Sequence, residues 1–149
     1  MSKDPAGTPP RLSQAAKRQY VLERAGGRCE YCRAAEVGQL ATFELEHVVP
    51  SGQGGSDEVE NLAWACGRCN RSKSDHVVIP DPETAASVPV FDPRAMAWHD
   101  HFAWRDQELV GRTPVGRALI AALDLNSPRR IAVRQDEAIL GRFPPPVGG

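Results

Sequence analysis

Four cysteines are the residues of this chain whose type and spacing most directly imply chemistry. They stand as Cys29-x2-Cys32 and Cys66-x2-Cys69, written CEYC and CGRC. A C-x2-C pair lets a tight turn present two thiolates to one ion, and two such pairs supply the four sulfurs of a closed tetrahedral shell. Zinc held by all four cysteines is the expected occupant. A shell without an open position has no place for water or substrate, so this zinc is structural and its binding free energy is part of the folding free energy. Two disulfides, a rubredoxin-like iron site or a dithiol redox pair would use the same residues. A reducing compartment disfavours the disulfides, and visible absorption of the purified protein would expose iron.

A second set of reactive side chains lies between the pairs, in ELEHVVPSGQGG at residues 44–55. Side chains alternate along a strand, so Leu45, His47 and Val49 take one face while Glu46 and Val48 take the other. Glu46 and His47 are adjacent in sequence yet point apart, and are not a hydrogen-bonded dyad. Downstream, Leu62, Trp64 and Cys66 alternate like a second strand, and Asn70, Arg71, Ser72 and Lys73 suit a short helix beginning near Gly67. The expected order is strand, glycine loop, strand, helix, with the cysteine pairs at the outer joints.

This pattern resembles the zinc-containing branch of the HNH endonucleases. The residues that carry the resemblance are Glu46 and His47, Gly54 and Gly55 in the loop, Asn61 before the second strand, and Asn70 just after the second cysteine pair, where the family name implies His. The resemblance covers residues 29 to about 75. It implies a ββα-metal fold and hydrolysis of DNA phosphodiester bonds, nicking or cutting to leave a 5'-phosphate and a 3'-hydroxyl. His47 would be the general base, suited by an ordinary pKa of about 6.5. Glu46 and Asn70 would hold Mg2+ or Mn2+, hard ions that take oxygen ligands. Asn70 in place of His should favour these ions over nitrogen-seeking ones such as Ni2+. Asn61 would bond backbone across the loop and fix the rotamer of His47.

The elements around this core supply charge and support. Residues 12–25 read as a helix ended by Gly26 and Gly27; it feeds the first knuckle, and its Lys17, Arg18 and Arg24 are further candidates for phosphate contact. Arg28, Arg33, Arg68, Arg71, Lys73 and His76 are the candidate nucleic-acid contacts, with Arg117, Arg129 and Arg130 further along. Residues 11–34 carry six basic residues against two acidic ones, while residues 36–60 carry six acidic residues and no Lys or Arg, so charge is uneven although the net value is only −1. His99, Asp100 and His101 sit among Trp98, Phe102 and Trp104, in a run better explained by packing than by a metal. From 108 onward the pattern reads as a strand, a turn at Thr113 and Pro114, a helix through Leu123 and another helix after Pro128. The W-x2-HF-x-W and G-x-T-x2-G-R-A patterns resemble a C-terminal extension of some bacterial HNH proteins.

The fold class expected is α+β: a small ββα-metal core with a four-cysteine structural zinc, flanked by an N-terminal helix and a C-terminal α/β extension. Its divisions are a flexible tail at 1–11, a zinc-stabilised nuclease core with its N-terminal helix at 12–80, a Pro-rich linker at 81–93, and an extension packing on the core at 94–149. Runs such as ALIAAL at 118–123 are too short to cross a bilayer, and the N-terminal residues lack an apolar signal core, so a cytoplasmic protein with no membrane partner is expected. The partner expected is DNA, duplex first and RNA left open, bound by a monomer or homodimer. The competing reading is a non-catalytic zinc-knuckle module that binds nucleic acid or protein.

Overall fold

The computed structural model describes residues 11–146. The tail expected over 1–11 therefore lies, but for Arg11, outside the described residues. The first helix, α1, runs Gln14–Arg24 because Ser13 caps it, its hydroxyl accepting from the Ala16 amide at 3.1 Å. Val21 is its fully buried residue, and the helix ends at the Gly26-Gly27 turn that leads into the first cysteine pair. The basic residues of α1 turn inward. Lys17 donates to the Asp57 carbonyl at 2.7 Å, Arg18 to the Phe43 carbonyl at 3.3 Å, and Arg24 to the carbonyls of Val59 and Leu62 at 2.9 and 2.5 Å. These arginines and this lysine fasten the helix to the core, and do not form the phosphate-facing row the sequence suggested.

Two antiparallel strands follow, β1 Glu44–His47 and β2 Leu62–Ala65, paired Glu44 to Ala65 through His47 to Leu62. Every residue of β2 is buried, so the strand is a central plank rather than a half-exposed ribbon. The loop between them passes so close to itself that a Cβ on Gly55 would lie 1.8 Å from the Val49 carbonyl oxygen, which only glycine permits. Helix α2, Gly67–Lys73, packs on β1. Strand, loop, strand and helix thus fall in the order read from the sequence.

Residues 81–93 are not a linker. Strands β3, Val78–Pro80, and β4, Ser87–Pro89, form a hairpin that straddles the expected boundary at 80, and Val90 and Phe91 behind it are buried. The prolines that suggested a linker are compatible with strands because both strands of a two-stranded sheet are edges, where a missing N–H costs little. At the turn, Asp81 is fully buried and accepts from Arg117 Nε and Nη2 at 3.1 and 2.9 Å. Those bonds hold its carboxyl well below the usual carboxylate range. Arg117 also meets Glu83, so it is committed within the fold and not presented to DNA.

A short helix, α3 Trp98–His101, leads into a second hairpin, β5 Phe102–Arg105 with β6 Glu108–Gly111. Helix α4, Pro114–Ala122, begins at Thr113, whose hydroxyl accepts from the Gly116 amide at 3.1 Å and contacts His101 Nδ1 at 2.6 Å. A Cβ on Gly116 would lie 2.0 Å from the His101 carbonyl oxygen, which explains the glycine of the G-x-T-x2-G-R-A pattern. Helix α5, Pro128–Ile139, starts at the Ser127 cap. Trp98, Phe91, Phe102, Leu109, Leu119 and Leu125 join Tyr31, Trp64 and the cysteines in one continuous core. Among the described residues, no helix is long and apolar enough to cross a membrane.

Candidate functional site

The four cysteines converge. Their Sγ atoms lie within 4.8 Å of one another, and Cys32 and Cys66 approach to 3.9 Å without forming a disulfide. Four thiols so placed can bind a metal ion, and this is the one such cluster among the described residues; the His99, Asp100 and His101 trio does not gather. Arg130 donates to Cys69 Sγ at 3.5 Å. Burial opposes the charge of that guanidinium, but the sulfurs of Cys32, Cys69 and Cys66 outweigh it and hold Arg130 above its usual range. The first pair is also tied to β2: Glu30 exchanges backbone and side-chain bonds with Trp64 and is ion-paired to Arg94.

One face of β1 looks at α2. Glu44 and Glu46 are two residues apart on the strand, Asn70 and Lys73 three apart on the helix, and the two spacings match. Asn70 donates its side-chain amide to Glu44, and Lys73 Nζ meets Glu46 Oε1 at 2.5 Å. Glu46 is only 4% exposed and also accepts from the Tyr31 hydroxyl at 2.5 Å. Burial pushes the Glu46 carboxyl up, and Lys73 and Tyr31 partly oppose that by stabilising the anion. Tyr31, buried beside that anion, has its phenol pushed well above the ordinary range. Glu46 is thus closed by Lys73 and Tyr31, and Asn70 touches Glu44, a residue the sequence reading did not single out.

Lys73 requires a correction. Expected to contact phosphate, it is 2% exposed, and its ammonium is held by Glu46, by the Val48 carbonyl at 3.0 Å and by the His47 carbonyl at 3.3 Å. A buried carboxylate demands a partner, and Lys73 is the side chain that α2 brings to it.

His47 occupies the opposite face, half-exposed, with Nε2 2.7 Å from Asp57 Oδ1. The imidazole in turn holds the exposed Asp57 carboxyl below its ordinary value. Asn61 closes the loop behind it. Its Oδ1 accepts from the Val49 amide at 2.9 Å, and its Nδ2 donates to the carbonyls of Val49 and Ser56 at 3.0 and 2.8 Å. Asp57 was missed because nothing in SDEVEN distinguishes it from the neighbouring acids until the loop folds back.

Of the remaining candidates, Arg68 and Arg71 are exposed on α2 and His76 is exposed beyond it. Arg33 lies over the Trp98 ring. Arg28 is committed to the Arg33 and Arg142 carbonyls.

Residues 29–76 match the HNH endonuclease family. The HNH segment therefore holds all four cysteines, both β1 faces and α2. Two curated relatives are similar to it, each a CRISPR-associated endonuclease Cas9. The one from Corynebacterium diphtheriae is 39% identical over 62 residues, covering 39% of this chain and 5% of that protein. The one from Actinomyces naeslundii is 43% identical over 56 residues, covering 37% of this chain and again 5% of that protein. The chain thus spans about one-twentieth of the relatives it matches. No solved structure gives a significant match.

Proposed function

We propose that this chain is a metal-dependent HNH endonuclease that nicks or cuts DNA, leaving a 5'-phosphate and a 3'-hydroxyl. The observation that carries the reading is the coincidence of the HNH match over residues 29–76 with a half-exposed His47 whose Nε2 is engaged by Asp57. With one ring nitrogen held, the other can take the proton of an attacking water as general base. Asn61 holds the loop that carries this geometry and transfers no proton.

The structural ion we assign is zinc. Four thiolates at about 2.3 Å from zinc would stand about 3.8 Å apart at the edges of a tetrahedron, which the 3.9 Å between Cys32 and Cys66 fits. For the catalytic cation we keep Glu46 and Asn70 as the oxygen donors, types suited to Mg2+ or Mn2+, although Asn70 touches Glu44 and Glu46 is held by Lys73 and Tyr31. Glu46 and the carbonyls of His47 and Val48 already cradle one cation, the Lys73 ammonium, and Glu46 must release it to take another. When bound, a divalent ion supplies neutralisation of the phosphoryl and departing oxygens.

Incubating supercoiled plasmid with zinc-loaded protein and Mg2+ or Mn2+ tests the reading, and absence of nicking by folded protein would refute it. A second reading draws on the closure of Glu46 by Lys73 and Tyr31: a zinc-knuckle module that binds nucleic acid or protein without cutting. It expects equal DNA binding with and without the second divalent ion.

A further inference from the structure

A chain with a net charge of −1 gathers eight arginines around one cleft. The cleft, about 240 Å³, opens between the cysteine pairs, the outer side of α2 and helix α5. Glu137 is the one carboxylate among its described lining residues, and Arg142 consumes it through contacts of 2.5 and 3.1 Å.

Part of this charge has internal work. Arg28 joins two backbone carbonyls, Arg130 meets the Cys69 sulfur, and Arg134 donates to the Leu125 and Gln107 carbonyls while lying over Trp104. That work does not account for Arg68, Arg71 and Arg129. All three are exposed at the rim, and none makes an ion pair with a described residue. Four thiolates around a divalent ion would offset part of this charge beside Arg130, but the exposed arginines still raise the energy of the fold unless a further anion meets them.

Placement favours a particular anion. At 100° per residue, Arg68 and Arg71 share one side of α2 with Gly67, while Asn70 and Lys73 occupy the side that faces β1. One helix, about 10 Å across with its side chains, separates the cleft from the β1 face. The aromatic residues offer little to a base: Trp104 is flanked by Arg134, Trp98 and Phe143.

We propose that this cleft is a nucleic-acid backbone site, in which Arg68 and Arg71 of α2 and Arg129 of α5 take phosphates of the strand that the HNH segment acts on. The identity of the anion rests on the nuclease reading. Planar guanidinium forks match phosphate oxygens, and contacts of this kind set position and affinity without choosing sequence.

The test is fluorescence anisotropy of a short labelled duplex, without added Mg2+ or Mn2+, across a salt series. Arg68→Ala/Arg71→Ala/Arg129→Ala should weaken binding by about tenfold or more and lower the slope of log K against log salt by about 2 to 3. Zinc content and melting temperature should match the parent, and Arg105→Ala, at the β5–β6 turn, should bind as the parent does. Parent-like affinity and slope in the triple variant would overturn the proposal, as would failure of the parent to bind or full displacement of the duplex by an equimolar mononucleotide. If the parent binds through these arginines but never nicks plasmid, the nuclease reading fails and the cleft stands. If the parent nicks and the triple variant binds normally, the cleft alone fails.

Discussion

Residues 29–76 and the residues that follow them hold short elements in place by different means. The HNH segment relies on four sulfurs, on the buried Glu46–Lys73 pair and on an asparagine that bridges a loop to itself. The part from β3 onward relies on aromatic rings in edge-on and tilted contact, on Leu109, Leu119 and Leu125, and on the near-contact of Gly116 with the α3 carbonyl, with the Asp81–Arg117 pair and Arg134 among its buried charges. Apolar packing is non-directional and supplies bulk stability. Hydrogen bonds and metal–sulfur bonds are directional, and so they are concentrated where side chains must be aimed.

The largest test of that contrast removes the metal. Apparent zinc binding of about 10–16 kcal/mol in small zinc domains is as large as the whole stability of a typical domain, about 5–15 kcal/mol, so chelation or Cys66→Ser should abolish amide protection in β1 and β2. Persistent protection there, with zinc shown absent by elemental analysis, would break the comparison. His47→Ala should leave zinc content and melting temperature intact while cleavage falls by about 10²- to 10⁴-fold. Undiminished nicking would point to another base or to contamination. Lys73→Met leaves the Glu46 carboxylate without its counter-charge in a buried site, and should cost about 3–5 kcal/mol in urea unfolding. A loss near zero would mean that Glu46 takes up a proton at little cost. Gly116→Ala should cost about 1–3 kcal/mol through overpacking against the His101 carbonyl, with bound zinc unchanged. Loss of zinc in that variant would show that the two parts are not separately supported.

What could be read in the sequence was whatever local chemistry dictates. The cysteine spacing, the Gly26-Gly27 helix stop, the alternation through Glu46 and His47, and the turn at Thr113 and Pro114 before a helix are short-range signals, and each has its counterpart in the structure; the Ser13 cap is a further local device that the sequence reading passed over. The β3–β4 hairpin was hidden because Pro80, Pro82 and Pro89 carry the composition of a linker, and only Phe91 docking in the core reveals otherwise. Lys73 looked like any helix-surface cation, and its burial depends on a carboxylate 27 positions away. Glu44 and Asp57 were indistinct among six acids, because selecting them requires knowing which face of β1 meets α2 and where the glycine loop returns.

Arg28 links the first knuckle to the Arg142 carbonyl, 114 positions further along the chain. During synthesis the cysteine quartet is complete well before Arg142 emerges, so the metal centre can mature while this latch is still open. The chain order thus lets the four cysteines take up an ion before the contact between the first knuckle and Arg142 is made.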